Sequence, residues 1–471
     1  MKRASRAGLF IGALALVGAF LLPVPAGMTR EMVIVAGLVL LMAVWWMTEA
    51  IPLTATALMP FVILPLAGVL SAEEAAGAYY SPILFLILGG AFLALAIERT
   101  GLHRRLALRL LEVVGGRGGP GGILFAFMAT TAALSMVISN TSAALILMPV
   151  AIAVLAGGGI PPEERDGLAG ALPMGIAFAA SIGGLGTLVG SPTNAIAVGL
   201  LDTVIGFRIS FAQWSLYGLP LVAAGVPLAA LIIARVQRIG AHTFDLSAAQ
   251  AAIGERLPWT RPERRLVPVI VLAFGAWMTV PLVQPLLPQG SWTDGTIAVI
   301  AGLALFLIPD GTGRPLLVWQ EADRAPWAVI MMFGGGLALA AGIGASGLAA
   351  WLGEALLFLQ GVPLIVIALI LVALVVLVTE FASNVATASA IIPVVAALSV
   401  ALGADPLLLA LPAALAASWG FMLPAGTGPN AIAWATGRII LPRMVRAGVL
   451  LDVAGVFLIV GMVWIIYTVT G

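Results

Sequence analysis

Apolar residues run along this chain in long blocks separated by short polar stretches. The blocks cover approximately 8–26, 32–47, 51–70, 82–97, 122–156, 170–202, 214–234, 266–283, 295–309, 327–345, 363–402, 406–436 and 447–469. Most are close to the roughly 20 residues that a helix needs to cross a hydrocarbon layer about 30 Å thick. The pattern predicts an all-α polytopic membrane protein. Four blocks do not fit one plain span. Blocks 122–156 and 363–402 are too long and carry a short polar patch in the middle, and blocks 170–202 and 406–436 are each broken by a Gly/Pro/Asn cluster.

The arginines decide how the long blocks are read. Arg99, Arg104, Arg105, Arg109 and Arg117 share one loop, and Arg235, Arg238, Arg256, Arg261, Arg264 and Arg265 a second. Arg314 and Arg324 fall in a third loop, and Arg438, Arg443 and Arg446 in a fourth. Basic loops stay in the cytoplasm. All four satisfy that rule if blocks 122–156 and 363–402 are re-entrant hairpins that enter and leave on one side. The count is then about eleven crossings plus two hairpins, with a cytoplasmic N-terminus and an external C-terminus. Only Arg30 and Arg208 face outward in this scheme. The polar stretch 235–265 reads as a solvated connector between halves.

Composition supports lipid as the solvent. The 471 residues are 62% hydrophobic and 9% charged, with mean hydropathy +1.14. Soluble domains carry roughly 25% charged residues. There is no cysteine, which excludes disulfides, thiolate metal sites and cysteine nucleophiles. The histidines are His103 and His242, too few for a histidine metal centre, and Lys2 is the lone lysine. Met1-Lys2-Arg3 followed by an apolar run resembles a signal peptide, but the run is long and further spans follow closely, so it reads as a first transmembrane helix.

Three blocks recur in the same order. Leu88-Gly89-Gly90 matches Gly334-Gly335-Gly336, and Ser139-Asn140-Thr141-Ser142 matches Ser383-Asn384-Val385-Ala386, with Pro149 and Pro393 nine residues beyond each asparagine. Gly190-Ser191-Pro192-Thr193-Asn194 matches Gly426-Thr427-Gly428-Pro429-Asn430. Five crossings separate the two Ser-Asn pairs. Five is odd, so the second repeat is inverted. Inverted repeats with interrupted helices mark transporters that bind cargo near the midplane.

The breaks carry the candidate chemistry. Ser and Asn are good N-caps, so each Ser-Asn pair is expected to end one hairpin arm and start the next. A helix start exposes free N–H groups and partial positive charge, which suits an anion. The same breaks free carbonyl oxygens, which with hydroxyls and Asn oxygens suit a hard cation such as sodium. Two cation sites flanking an anion site are expected. Without buried Arg or Lys in these segments, a dianion depends on helix ends and co-bound cations. Glu380 is an intramembrane acid open to a functional or a structural role. Glu49 reads as structural, beside Trp45 and Trp46 as interface anchors. An intramembrane enzyme has little support, because no His lies in a span and no acid pair has metal spacing. A channel would not need two inverted cation cages.

From Trp45-Trp46-x-Thr48-Glu49-Ala50-x-Pro52 through the paired Ser-Asn motifs to the last span, the chain resembles the divalent anion/sodium symporter family of dicarboxylate, citrate and sulfate transporters. The resemblance implies secondary active transport of C4-dicarboxylates across a bacterial inner membrane, coupled to two or more sodium ions. It also implies a homodimer working as an elevator, with scaffold parts 1–120 and 241–361 and transport parts 121–240 and 362–471. By position, Ser139, Asn140, Thr141, Ser383 and Asn384, with Ser191 and Thr427, resemble the substrate-binding set. Ser135, Ser139, Asn140 and Gly190 resemble one sodium site, and Thr379, Ala382, Asn384, Gly426 and Thr427 the other. Val385 stands where many members have threonine, and Thr193 and Gly428 replace prolines. Some relatives are sodium-independent exchangers, and sulfate or citrate transport shares the fold, so these alternatives remain open.

Overall fold

The computed structural model describes residues 3–114, 119–239, 258–355 and 361–470. Arg117, His242, Arg256 and most of the connector 235–265 lie outside the described residues. The helices are α1 (Arg3–Leu21), α2 (Arg30–Thr48), α3 (Leu53–Thr56), α4 (Met59–Leu66), α5 (Ala72–Ala78), α6 (Pro82–Thr100) and α7 (Leu102–Val114). The first hairpin region follows with α8 (Gly119–Ser135) and α9 (Asn140–Gly157), then α10 (Leu168–Gly184), α11 (Pro192–Ile205) and α12 (Phe211–Gln237). Next come α13 (Arg261–Met278), α14 (Val280–Val283), α15 (Asp294–Leu307), α16 (Trp319–Ala322), α17 (Trp327–Ala345) and α18 (Leu348–Ala355). The chain closes with α19 (Leu364–Phe381), α20 (Asn384–Ala401), α21 (Pro406–Ala416), α22 (Gly428–Ala435) and α23 (Leu441–Thr470).

Polar contacts at the helix ends define two faces. On one, Arg99 pairs with Asp310, Arg105 with Glu263 at 2.9 Å, and Arg443 with Asp166. Burial opposes the charged form of Asp310, but bonds from Thr312 and Arg99 outweigh it and hold the carboxyl down at about 2. On the other face, the Phe211 N–H donates to Asp294 at 2.9 Å, and the Tyr467 hydroxyl to Asp405 at 3.1 Å. The described arginines of all four basic loops fall on the first face. Arg30, which donates to the Leu22 carbonyl at 2.8 Å, and Arg208, paired with Asp202 at 3.0 Å, sit on the second.

Both overlong blocks are helix–break–helix units. The first enters and leaves at the basic face. At the start of α8, Gly121 lies against Ile239. Beyond α9, the Pro161 carbonyl accepts from Arg438 at 3.1 Å. The second unit belongs to the opposite face: the end of α20 shares a cleft with α18, nine residues before α19 begins, and Asp405 lies just beyond α20. Between the units the chain crosses through α10–α11, α12, α13, α15 and α17, so the repeats are inverted.

By length and apolarity alone, nine described helices qualify as spans, or ten with the bent pair Arg261–Met278 and Val280–Leu286. The expected figure was about eleven plus hairpins. Length counts the hairpin arms α9, α19 and α20 as spans and passes over crossings made of shorter pieces, such as α10–α11 and α21–α22.

Packing rests on small residues, as expected where lipid removes the hydrophobic drive between helices. A Cβ on Gly183 would stand 2.4 Å from Ala132 Cα, and one on Gly89 2.3 Å from the Ala298 carbonyl. All seventeen residues of α10 are buried. Trp46 is also buried, its indole donating to the Leu53 carbonyl at 3.1 Å, so it is a packing residue and not an interface anchor. Glu49 ends α2 in the left-handed region at φ 48°.

Candidate functional site

Each hairpin tip is capped as its sequence predicts. Ser139 accepts from the Ser142 N–H at 3.1 Å and starts α9, and Ser383 accepts from the Ala386 N–H at 3.2 Å and starts α20. Beside each tip lies a broken crossing. In the first, the Asn194 amide donates to the Gly184 carbonyl at 2.7 Å and the Thr187 carbonyl at 2.8 Å. The Thr187 hydroxyl donates to the Met136 carbonyl at 2.5 Å, which ties the break to the hairpin. Intramembrane backbone that leaves the helix must find such partners. In the second, the Asn430 amide donates to the Leu423 carbonyl at 3.0 Å.

Around the first tip, oxygens converge. Ser135 Oγ lies 2.6 Å from the Ala180 carbonyl and 2.7 Å from Asn140 Oδ1. Asn140 Oδ1 faces only acceptors: turned over, its nitrogen would donate to Ser135 Oγ at 2.7 Å, to the Gly190 carbonyl at 3.2 Å and to the Ala180 carbonyl at 3.3 Å. In the turned orientation the amide satisfies these oxygens itself, and Ser135 Oγ with the Ala180 and Gly190 carbonyls gives a neutral oxygen set of the kind that suits a hard cation. The second tip repeats the arrangement. Thr379 Oγ1 lies 2.6 Å from the Ala417 carbonyl and 3.0 Å from Asn384 Oδ1. A Cβ on Gly426 would stand 3.4 Å from the Leu423 carbonyl and 3.6 Å from that of Glu380, so Gly426 sits among backbone oxygens. Thr427 caps α22, accepting from the Asn430 N–H at 3.2 Å. Ala382 is buried at the end of α19, where its N–H completes the helix by donating to the Val378 carbonyl.

The two tips are cross-linked by packing. α9 lies against α22 of the other repeat, and α20 against α11. A Cβ on Gly428 would come 2.5 Å from Thr141 Oγ1, so glycine at this position makes room for the first tip. A cavity of about 340 Å³ lies between α6 and the first tip. Ser139, Ser142, Gly190 and Pro192 line one wall, with Glu98 and Arg324 toward the basic face. Among the predicted residues, Ser139 and Gly190 line this cavity. Asn140, Thr141, Ser191, Ser383, Asn384 and Thr427 do not.

Sequence reasoning left the role of Glu380 open and missed two further features. Glu380 is buried and holds the second break: one carboxylate oxygen accepts from the N–H groups of Phe421 and, at 2.9 Å, Met422, and the other from Leu423 at 3.2 Å. Asp452 on α23 is buried beside Glu380 and the Phe421 backbone. A fourth block also recurs. Gly218 and Gly225 on α12 correspond to Gly448 and Gly455 on α23, and a Cβ on Gly218 or Gly448 would meet the break of its own repeat at 2.3 or 2.5 Å. Glycine spacing was the available signal for that block.

The family described as sodium:sulfate symporter transmembrane region matches residues 3–470. Similar proteins include the sodium-dependent dicarboxylate transporter SdcS of Staphylococcus saprophyticus, 40% identical over 477 residues, covering 97% of this chain and 90% of the relative. SdcS of Staphylococcus aureus strain USA300 is 38% identical over 474 residues, with the same coverage of 97% and 90%. The fold resembles the YdaH transporter of Alcanivorax borkumensis, with TM-score 0.59, 15% identity, and coverage of 93% of this chain and 98% of that one. It also resembles MtrF of Neisseria gonorrhoeae, with TM-score 0.54, 13% identity, and coverage of 99% and 95%.

Proposed function

Because the chain belongs to the sodium:sulfate symporter family, and is therefore a multi-pass membrane transporter and not an enzyme, we propose that it carries C4-dicarboxylates of the succinate, malate and fumarate type by sodium-coupled symport. The observation that carries this reading is the pair of matching hairpin tips, where Ser135 Oγ joins Asn140 to the Ala180 carbonyl and Thr379 Oγ1 joins Asn384 to the Ala417 carbonyl. The names of the relatives support the choice of sodium and dicarboxylate.

In this reading one sodium ion lies among Ser135, Asn140, Gly190 and Ser139, and a second among Thr379, Ala382, Asn384, Gly426 and Thr427. With these ions bound, the starts of α9 and α20 present N–H groups and hydroxyls to the substrate carboxylates. The substrate contacts are assigned to Ser139, Asn140, Thr141, Ser191, Ser383, Asn384 and Thr427. No arginine or lysine side chain is given to the dianion, so its charge is offset by helix ends and by the cations. That makes substrate binding depend on sodium, which is the requirement for symport. The basic face is assigned to the cytoplasm by the positive-inside rule. The cavity beside Ser139 then opens inward. Parts 121–240 and 362–471 move as the elevator against a scaffold of 1–120 and 241–361 in a homodimer.

The test is uptake of labelled succinate into proteoliposomes with and without an inward sodium gradient. Symport predicts accumulation that needs external sodium. Uptake that ignores sodium and needs preloaded internal dicarboxylate would replace symport with exchange, and uptake of sulfate or citrate alone would change the cargo.

A further inference from the structure

We propose that the basic face carries a binding site for an anionic phospholipid, in a cleft between the end of α12 and the start of α23. The cleft has a volume of about 530 Å³, and four of the residues that line it are arginines: Arg235, Arg238, Arg443 and Arg446. Arg443 is committed to Asp166 and lies 3.3 Å from Gln237 Oε1. Arg235, Arg238 and Arg446 are exposed and have no carboxylate partner among the described residues. Three like charges around one cleft repel one another, and an anion relieves that repulsion. The planar guanidinium matches a phosphate with two parallel bonds, so phosphate is the anion these side chains fit best.

The backbone holds this arrangement at a cost. Arg238 caps α12 in the left-handed region, with φ 55°, a conformation that glycine normally supplies. An arginine kept there places its charge at the end of the helix, beside the cleft, where a glycine would place none.

The rest of the lining selects a lipid over a free ion. Ile232, Val236 and Leu450 form the remaining wall. Ile232 lies four residues before Val236, and Leu450 four residues after Arg446, so each pair shares one helix face running from the charged rim into the hydrocarbon layer. That wall continues into the exposed apolar residues Leu231, Val449 and Val453 on the same helices. A headgroup phosphate among the arginines with an acyl chain along Leu450 uses both halves of the cleft, while inorganic phosphate uses one. Basic pockets between transmembrane helices on the cytoplasmic side are known hosts for such headgroups.

The experiment uses the full chain purified in detergent, as wild type and as the Arg235→Gln/Arg238→Gln/Arg446→Gln triple variant. Native mass spectrometry reads lipid retention, and thermal unfolding reads stabilisation by added cardiolipin, phosphatidylglycerol, phosphatidylcholine or inorganic phosphate. The wild type should retain and be stabilised by cardiolipin and phosphatidylglycerol only. The triple variant should bind them about a hundredfold more weakly, from roughly 1 kcal/mol for each of three arginines. Equal retention by both proteins overturns the site, as does equal stabilisation by inorganic phosphate. A wild type that binds no anionic lipid until Asp245→Asn/Glu255→Gln is introduced also overturns it, because the cleft then holds the chain's own acids. None of these readouts requires transport, so failure of the symport reading leaves the result intact.

Discussion

The two breaks share one geometry and hold it by different chemistry. The first uses neutral groups throughout, with the Asn194 amide and the Thr187 hydroxyl bonding the freed backbone. The second has Leu423 where the first has Thr187, and its freed N–H groups go instead to the Glu380 carboxylate. Met136 occupies the position of Glu380 in the first repeat, and Val222 that of Asp452. Inversion and divergence have kept the position of the broken backbone while replacing its support. A carboxylate acceptor makes hydrogen bonds roughly twice as strong as a neutral one. It also places acidic groups behind the second of the two cation sites proposed above and none behind the first. In that reading the two sites are electrostatically unequal, and the second is expected to attract a cation more strongly.

The largest test removes what the breaks have in common. Asn140→Ala and Asn384→Ala each delete an oxygen from a cage and a group at a helix start. Both are expected to abolish sodium-driven succinate uptake while the purified protein stays folded, and wild-type uptake in both would refute the placement. Glu380→Gln probes the difference. It should raise the sodium concentration for half-maximal uptake by about tenfold or more, from the loss of about 1.5–3 kcal/mol per charge-assisted bond. Met136→Leu should change it little, and equal effects at the two positions would erase the distinction drawn between the breaks.

Glycine substitutions test the shared geometry from behind. Gly218→Ala and Gly448→Ala press a methyl group against Leu185 and Met422 at built distances of 2.3 and 2.5 Å. Each should lower stability by about 1–3 kcal/mol in a thermal unfolding assay, and to a similar extent. A smaller change comes from Val385→Thr, which restores at the second tip the hydroxyl that Thr141 supplies at the first. Succinate affinity should improve by about 0.5–1.5 kcal/mol, read as a lower half-saturation concentration. The smallest effect serves as a control away from both breaks. Asp310, held at about 2, contributes stability that is complete above the ordinary aspartate value of 3.8 and is lost as pH falls toward 2. Asp310→Asn should flatten the acid limb of the stability profile over that window and leave the sodium dependence of uptake unchanged.

Much of this was legible in the sequence because transmembrane folds write their constraints in one dimension. The length of an apolar run reports a crossing, and Arg99, Arg265 and Arg443 report a face. The Ser-Asn caps at 139–140 and 383–384 were readable because a helix start in a membrane has few chemical solutions. Other features were hidden for physical reasons. Trp46 looked like an anchor because its burial depends on residues distant in sequence. The role of Glu380 was undecidable because its partners, the N–H groups of residues 421–423, belong to the backbone and carry no residue signature. The pairing of α9 with α22 and α20 with α11 arises from tertiary packing between repeats, which no local pattern encodes. The span count fell short of expectation by length because crossings assembled from pieces such as α10–α11 have no single long helix.

A helix surrounded by protein on every side cannot be a hinge. α10 has no lipid-facing residue; its Gly183 admits the α8 backbone, and Gly218 of α12 comes against the Leu185 carbonyl at its end. It has no free volume in which to tilt or slip by itself. Any displacement of α10 across the membrane must carry the first hairpin and α12 with it as one body. In the elevator proposed above, cross-links within the body are expected to be tolerated through a full transport cycle, and a single cross-link across its boundary with α6 is expected to stop it.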